Sequence, residues 1–322
     1  MVLVSVIMGS YNHEKYIGEA IESVLNQTCK DLELIIVDDA SRDNSKAIIE
    51  AYCAKDPRIR KFFHKVNLGI ARTINDCLKQ VNGKFVCLID SDDLWDEHKL
   101  EKQLTVLSKN EGKLVWSEGT IVNSKGYPTG RTVTQLLYSL RKSGDLFEEL
   151  LREQFVLFQS LIFETKFLNG LKRDEAFKYV SDHRFIVELA KNHEFVFMNE
   201  PLAKYRMHGT NVTRRDNKGW MRERIAIRKH FLQQYSSSIS NSTRADIYHK
   251  IGHAYSNLDN QTAARYYYMK AFSIDHLHLS SALYIALALT AKNRSINELS
   301  AKLYYSLLSY LTKKISQRRI LT

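Results

Sequence analysis

The chain has 322 residues, which predicts about two domains, and its fractions of 44% apolar and 26% charged residues are typical of a soluble globular protein. Its net charge is +11. Its apolar segments at residues 1–8 and 279–291 are too short for a signal peptide and for a membrane span, respectively. Four cysteines without a Cys-x-x-Cys pair indicate reduced thiols and a cytoplasmic protein.

Strand and helix signals alternate over the first hundred residues. Apolar runs predict strands at residues 2–8, 34–37, 59–64 and 85–89, and apolar residues at helical spacing predict helices at residues 14–27, 45–54 and 70–81. Each strand is apolar on both faces and helices intervene, so these segments predict a parallel α/β sheet flanked by helices.

An acidic turn follows the strand at residues 85–89, with three carboxylates (Asp90, Asp92 and Asp93) within four residues. Like charges this close raise one another's pKa unless a cation neutralises them. Mg²⁺ and Mn²⁺ prefer oxygen ligands and are held by one or two carboxylates together with substrate phosphates. The turn therefore predicts a metal site for a phosphorylated ligand, with a solvated helix-capping turn as the alternative.

Polar clusters follow three of the predicted strands, at Ser10-Tyr11-Asn12, at Asp38-Asp39 and at the acidic turn. In parallel α/β sheets, ligands bind beyond the carboxyl ends of the strands. The three clusters are therefore expected to meet at one binding site.

The pattern becomes mixed from residue 96 onward. Helices are predicted at residues 97–109, 146–152 and 182–191, and strands at residues 114–122, 156–163 and 195–198. We interpret residues 1–95 as the half that binds the phosphorylated ligand and residues 96–217 as the half that receives the other substrate.

The last region, residues 218–322, has helical signals, including a possible helical hairpin at residues 254–275. Residues 204–322 contain 20 Lys and Arg against 6 Asp and Glu, a net charge of +14. Such a charge predicts an anionic partner, either a phosphate-bearing substrate or a membrane surface, and no nucleic-acid-binding motif accompanies it. Apolar residues at 266–268 and 279–289 are compatible with a homodimer, and residues 311–321 with an interfacial helix.

Together these segments resemble the family 2 glycosyltransferases, which have the GT-A fold. The resemblance covers about the first hundred residues in order, and its main motifs are residues 4–12, 20–28, 33–43, 67–71 and 90–93. Weaker similarity continues at residues 158–160, 180–182 and 205–211. It implies a Rossmann-like, mostly parallel central sheet flanked by helices, here followed by an all-α C-terminal extension.

The resemblance implies that Ser10 and Tyr11 lie beside the nucleotide base and that Asp39 accepts a hydrogen bond from the imide N–H of uracil or thymine. Asp38 would orient the loop. Arg72 matches a cation that faces the nucleotide, with a solvated helix arginine as the alternative.

By the same resemblance, Asp90 and Asp92 form an Asp-x-Asp signature. Asp90 would reach the ribose or a metal-bound water, while Asp92 or Asp93 would ligate Mn²⁺ or Mg²⁺. His208 matches a position near the diphosphate and the metal, with a surface-loop histidine as the alternative.

Asp182 matches the general base of inverting members, although the family more often has Glu or Ala where this chain has Ser181. A plain helix N-cap is the alternative for Asp182. Gln159 is placed on the acceptor side. His13, His64 and His98 are interpreted as ordinary polar surface residues.

The implied function is metal-dependent, inverting transfer of a sugar from a nucleoside diphosphate, with UDP favoured, to a saccharide or lipid-linked saccharide. Such enzymes serve cell-surface polysaccharides such as capsule or O-antigen in bacteria, in the cytoplasm or at the inner face of the membrane. A processive synthase would carry membrane helices and a Gln-x-x-Arg-Trp motif, and a nucleotidyltransferase would carry a Gly-rich phosphate loop. The remaining alternative is a non-catalytic scaffold that binds polyanions or membranes.

Overall fold

A computed structural model describes residues 2–137, 141–209 and 216–275, and the chain divides into two compact units, residues 1–223 and 224–322. In the first unit the strands are β1 (Val4–Ser10), β2 (Leu32–Asp38), β3 (Ile59–Phe63), β4 (Phe85–Leu88), β5 (Leu94–Trp95), β6 (Leu114–Val122), β7 (Pro128–Thr132), β8 (Ile162–Glu164) and β9 (Phe195–Arg206). The helices are α1 (Ile17–Leu25), α2 (Ser45–Cys53), α3 (Ile70–Leu78), α4 (Lys99–Ser108), α5 (Val133–Leu137), α6 (Phe147–Arg152) and α7 (Ser181–Ala190).

The nine strands form one sheet in the order β3-β2-β1-β4-β8-β6-β9-β5, with β7 paired to β6. Strands β1, β2, β3 and β4 pair in parallel, and every residue of β1 and β2 is buried. Helices on the sheet cover such strands, which explains why both faces are apolar. Ser10 at the end of β1 is in register with Asp38 at the end of β2, so the predicted polar clusters share one edge.

The second half of the sheet is mixed. Strand β8 runs antiparallel to β4 and β6, whereas β9 runs parallel to β6 and antiparallel to β5. The short strand β5, which directly follows the acidic turn, pairs through Leu94 with Lys204 of β9. This pairing brings the end of β9 next to the acidic turn.

The predicted elements of the first hundred residues are confirmed with small changes at their ends. The prediction of a strand at residues 156–163 is wrong, because Phe158–Ser160 forms a 3₁₀ turn and only β8 follows it as a strand. Strands β5 and β7 and helix α5 were not predicted, and β9 is much longer than residues 195–198.

Helical structure continues through α8 (Asn217–Tyr235), α9 (Asn241–Asn257) and α10 (Gln261–Ile274). Helices α9 and α10 pack against each other, and a Cβ on Gly252 would lie 2.9 Å from the ring of Tyr268. A helical hairpin is therefore present, although its first helix begins at Asn241 and not at residue 254 as predicted. The close approach buries Tyr268, and of the proposed dimer residues 266–268 it is Tyr266 that is well exposed. Residues 279–289 and 311–321 lie outside the described residues. No described helix combines the length and the hydropathy needed to cross a bilayer.

Candidate active site

The loops that follow β1 and β2 are tied to each other by hydrogen bonds. The Asn12 N–H donates to Ser41 Oγ (2.9 Å), and Asn12 Oδ1 accepts from the Arg42 N–H (2.8 Å). The His13 N–H donates to Ser45 Oγ at the start of α2 (3.0 Å). Asn12 has a φ of 55°, in the left-handed region that asparagine tolerates. These bonds fix the backbone that carries the predicted base-binding residues.

Asp39 is buried and holds a neighbouring loop through both carboxylate oxygens. One oxygen accepts from the Leu68 N–H and lies 2.8 Å from His64 Nδ1, and the other accepts from the Gly69 N–H (2.8 Å). Gly69 has a φ of 87°, a conformation that glycine adopts without strain. Because its Nδ1 lies within hydrogen-bond distance of Asp39, His64 is not the ordinary surface residue that was predicted.

Ser10 and Tyr11 lie at the carboxyl end of β1 with different exposures. The Ser10 side chain is buried, and its Oγ has no hydrogen-bond partner within the described structure. Tyr11 leaves 40% of its surface exposed. Asp38 beside them accepts hydrogen bonds from the N–H and the hydroxyl of Ser41 and so orients its own turn, as predicted. A buried hydroxyl without a partner is the kind of group that a polar ligand satisfies.

Arg72 lies on α3 with an exposed guanidinium. Its Nε is 2.9 Å from Asp76 one helical turn later, and its Nη1 is 3.6 Å from Glu175. A phosphate that binds Arg72 would have to compete with these two carboxylates.

The acidic turn is not a solvated cap, because Asp93 is almost fully buried. One Asp93 oxygen accepts from the Arg206 N–H (2.7 Å), and the other accepts from the side-chain amide of the buried Gln159. Burial and the charges of Asp92 and Asp90 raise the pKa of Asp93 well above its usual value. Asp93 and Gln159 thus bind each other inside the protein.

Asp92 faces two histidines. Its Oδ2 lies 2.9 Å from His208 Nε2 and 3.8 Å from His13 Nε2, and ligand atoms of the three residues all lie within 4.8 Å of one another. Burial acts to raise the pKa of Asp92, but the hydrogen bond from His208 and the nearby imidazoles outweigh it and lower that pKa. His208 is buried and is therefore not a surface-loop residue. His13, which was predicted to be an ordinary surface residue, lies beside the predicted metal ligands Asp92 and His208. Two imidazoles and a carboxylate form a donor set that fits a divalent cation.

Arg206 fixes the backbone of the acidic turn. Its fully buried side chain donates from Nε to the carbonyl of Asp92 (2.8 Å), from Nη1 to the carbonyl of Ser124 (3.2 Å) and from Nη2 to Glu19 (2.7 Å). The guanidinium also lies 5.1 Å from the centre of the Tyr16 ring, which contacts His208 in turn. The sequence identified Arg206 only as part of the segment of weaker family similarity at residues 205–211.

Arg173 is a buried cation beside two carboxylates of the predicted site. Its guanidinium lies over the Phe158 ring at 4.6 Å, and its Nε has no hydrogen-bond partner in the described residues. Burial and the Asp92 charge raise the pKa of Asp90 to about 7, Arg173 opposes that rise, and Asp182 adds to it. Asp90, Arg173 and Asp182 therefore interact electrostatically although they are far apart in the sequence.

Asp182 lies in the first turn of α7. The N-cap of this helix is Val180, so the interpretation of Asp182 as a plain N-cap is wrong. Its carboxylate is partly exposed, has the amide of Gln154 at 3.5 Å, and benefits from the positive end of the helix dipole. A carboxylate in this position is available to an acceptor hydroxyl.

Comparisons with known proteins place the chain among sugar-transferring enzymes. The family model "Glycosyl transferase family 2" matches residues 5–174. TuaG of Bacillus subtilis, assigned by its name to teichuronic acid biosynthesis, is 27% identical over 235 residues, which cover 72% of this chain and 91% of TuaG. WfgD of Escherichia coli, named UDP-Glc:alpha-D-GlcNAc-diphosphoundecaprenol beta-1,3-glucosyltransferase, is 38% identical over 122 residues, which cover 38% of this chain and 47% of WfgD.

The fold is also that of a solved structure. Residues 1–349 of TarS from S. aureus, crystallised with UDP-GlcNAc, superpose with a TM-score of 0.62 over 90% of this chain and 80% of TarS, at 19% identity. This likeness confirms the predicted GT-A fold.

Proposed function

The chain belongs to glycosyltransferase family 2, and we propose that it is a metal-dependent, inverting enzyme that moves a sugar from a UDP-sugar to a hydroxyl of a saccharide or lipid-linked saccharide. The uridine donor is supported by the UDP-sugars named for TarS and WfgD. The lipid-linked acceptor is supported by WfgD, and a role in surface polysaccharides by TuaG.

The observation that carries this proposal is the convergence of three groups at the carboxyl ends of β1, β2 and β4. Ser10, Tyr11 and Asp39 form the base end, and the Ser10 hydroxyl, which has no partner among the described residues, is available to a polar ligand. Asp90 and Asp92 follow β4, and Arg173 links Asp90 electrostatically to Asp182. A nucleotide sugar that extends along this edge would have its reacting carbon between the acidic turn and Asp182.

The donor set at the acidic turn fits a metal ion, Mn²⁺ or Mg²⁺, with Asp92 and His208 as protein ligands. A bound cation neutralises charge on the departing nucleoside diphosphate. Asp93 supports this site indirectly, because its carboxylate accepts hydrogen bonds from the Arg206 N–H and the Gln159 amide and so keeps the turn in place. Gln159 is accordingly proposed to act on the acceptor side only through this support.

Asp182 is proposed as the general base. It would take the proton of the acceptor hydroxyl while that oxygen attacks the sugar carbon opposite the leaving phosphate, which inverts the anomeric configuration. Arg173 assists by opposing the rise in the pKa of Asp90, because a nearby cation favours the charged form of an acid. Arg72 is proposed to approach the nucleotide once a ligand phosphate competes with Asp76.

The three-part organisation into residues 1–95, 96–217 and 218–322 remains our proposal for the donor half, the acceptor half and the basic region. The net charge of +14 over residues 204–322 supports contact with an anionic membrane at the cytoplasmic face, where each Lys or Arg contributes roughly 1 kcal/mol. A homodimer through the α9–α10 hairpin is compatible with the exposure of Tyr266.

Calorimetric titration of UDP, dTDP, GDP and CDP, each with Mn²⁺ and with chelator, tests the donor site. We expect UDP to bind in a metal-dependent way. The variant Asp182→Asn should bind UDP like the wild type and lose transfer by a factor of at least about 100, as expected for loss of a general base. Binding of no diphosphate would favour a non-catalytic scaffold, and full turnover of Asp182→Asn would refute the base assignment.

A further inference from the structure

We propose that His13 is a third protein ligand of the metal, and that the resulting pair of imidazoles and one carboxylate selects a transition-metal ion over Mg²⁺. This inference rests on the metal-dependent function proposed above. It concerns a residue on the loop after β1, more than seventy positions away from the acidic turn.

The distances between the donor atoms are those of a coordination shell. Two ligands that each lie about 2.1 Å from one ion are separated by about 3.0 to 3.4 Å in octahedral or tetrahedral sites. Asp92 Oδ2 lies 2.9 Å from His208 Nε2 and 3.8 Å from His13 Nε2, which brackets this range. All three donor atoms lie within 4.8 Å of one another, so an ion between them would draw the two imidazoles closer together.

The neighbours of both imidazoles suit metal binding. Ser91 Oγ lies 2.8 Å from His13 Nδ1 and is able to accept a hydrogen bond from an Nδ1–H group, which leaves the Nε2 lone pair directed toward Asp92. The His208 ring lies against the Tyr16 ring, with a centroid distance of 4.5 Å. His13 is itself anchored by the hydrogen bond from its backbone N–H to Ser45 Oγ. Both rings are therefore held in orientation before a metal binds.

The donor set determines which ion is favoured. Mg²⁺ prefers six oxygen ligands and keeps several waters, whereas imidazole nitrogen suits transition-metal ions. Asp92 and His208 alone would leave the site tolerant of Mg²⁺. The second imidazole, from His13, shifts the preference toward Mn²⁺ and its heavier neighbours.

Electron paramagnetic resonance of Mn²⁺ in the presence of UDP tests this proposal without measuring activity. Loss of the free Mn²⁺ signal gives its affinity, and electron spin-echo modulation gives the directly bound ¹⁴N nuclei. We expect two imidazole nitrogens in the wild type and one in His13→Ala, with Mn²⁺ affinity at least about tenfold lower, since loss of even an indirect partner costs 10- to 100-fold. In His13→Ala, the ratio of Mg²⁺ to Mn²⁺ concentration at which half of the bound Mn²⁺ is displaced should be about tenfold lower than in the wild type.

Two further variants separate direct ligation from structural effects. His98→Ala removes an exposed imidazole that contacts Glu97 and Glu101, and it should change neither affinity nor nitrogen count. Ser91→Ala keeps the His13 ring and should retain both nitrogens. Equal nitrogen counts in the wild type and His13→Ala, or an unchanged metal preference, would overturn the inference while UDP binding and transfer still stand. Absence of Mn²⁺ binding by the wild type with UDP would overturn both the inference and the metal dependence.

Discussion

Replacement of Arg206 by methionine should destabilise the first unit and weaken metal binding together. The side chain is fully buried and donates hydrogen bonds to the carbonyls of Asp92 and Ser124 and to Glu19. Hydrogen bonds from a charged donor contribute about 1.5 to 3 kcal/mol each. The bond to Glu19 contributes little, because 55% of that side chain is exposed. At the lower end of that range, the two bonds to the backbone carbonyls predict a loss of about 3 kcal/mol.

For a unit of this size, 1 kcal/mol corresponds to a change in Tm of about 2 to 4 °C, so Arg206→Met should melt about 6 to 12 °C below the wild type. Calorimetric melting tests this value, and Mn²⁺ titration should show an affinity lower by about 10- to 100-fold because Arg206 holds the Asp92 backbone. Arg131→Met is a suitable control, since Arg131 is exposed on β7. A Tm within 2 °C of the wild type would refute the idea that this buried cation supports the acidic turn.

Two other predictions concern stability. Burial lowers the pKa of Lys99 to about 8, below its unfolded value near 10.4, so the unfolded state binds more protons between these values and stability should rise with pH there. Relative to Lys99→Met, the free energy of unfolding of the wild type should rise by about 2 kcal/mol from pH 7.5 to 9.5 in urea titrations, and parallel profiles would contradict this. Gly83→Ala should destabilise the protein by about 1 to 3 kcal/mol, because its Cβ would lie 2.6 Å from the backbone nitrogen of Ser5. Gly18→Ala, whose Cβ has no atom closer than 3.5 Å, should instead raise the melting temperature slightly by improving α1, and equal effects of the two variants would rule out the steric explanation.

The donor half of the fold could be predicted because its information is local. Apart from β5, each strand of residues 1–95 is a short apolar run, and each helix has a continuous apolar stripe, so periodicity alone identifies them. Strand β6 was predicted with its observed bounds for the same reason. Strand β5 has only two residues, and β8 has three after a 3₁₀ turn. Such short strands exist because of their partners in the sheet, and periodicity does not detect them.

The site residues also divide into those that local sequence identifies and those that depend on contacts between distant segments. Asp39, Asp90 and Asp92 stand directly after predicted strands, so their position was readable from local sequence. His13, Arg173 and Arg206 are placed by contacts between distant segments, and a lone histidine or arginine in a loop carries no pattern that distinguishes it from a surface residue.

Arg206 shows why these distant contacts matter for function. The Arg206 N–H reaches Asp93 across 113 positions of sequence, and its side chain reaches the Asp92 carbonyl only because β5 pairs with β9. The Asp93 carboxylate accepts the hydrogen bond from the Arg206 N–H, whereas the Asp92 carboxylate faces the two histidines. In the proposed metal site, the choice between two adjacent aspartates, which the sequence left open, is made by the pairing of β5, at the end of the donor half, with β9 of the acceptor half. A variant that breaks this pairing should impair metal binding even though every predicted donor-half residue is intact.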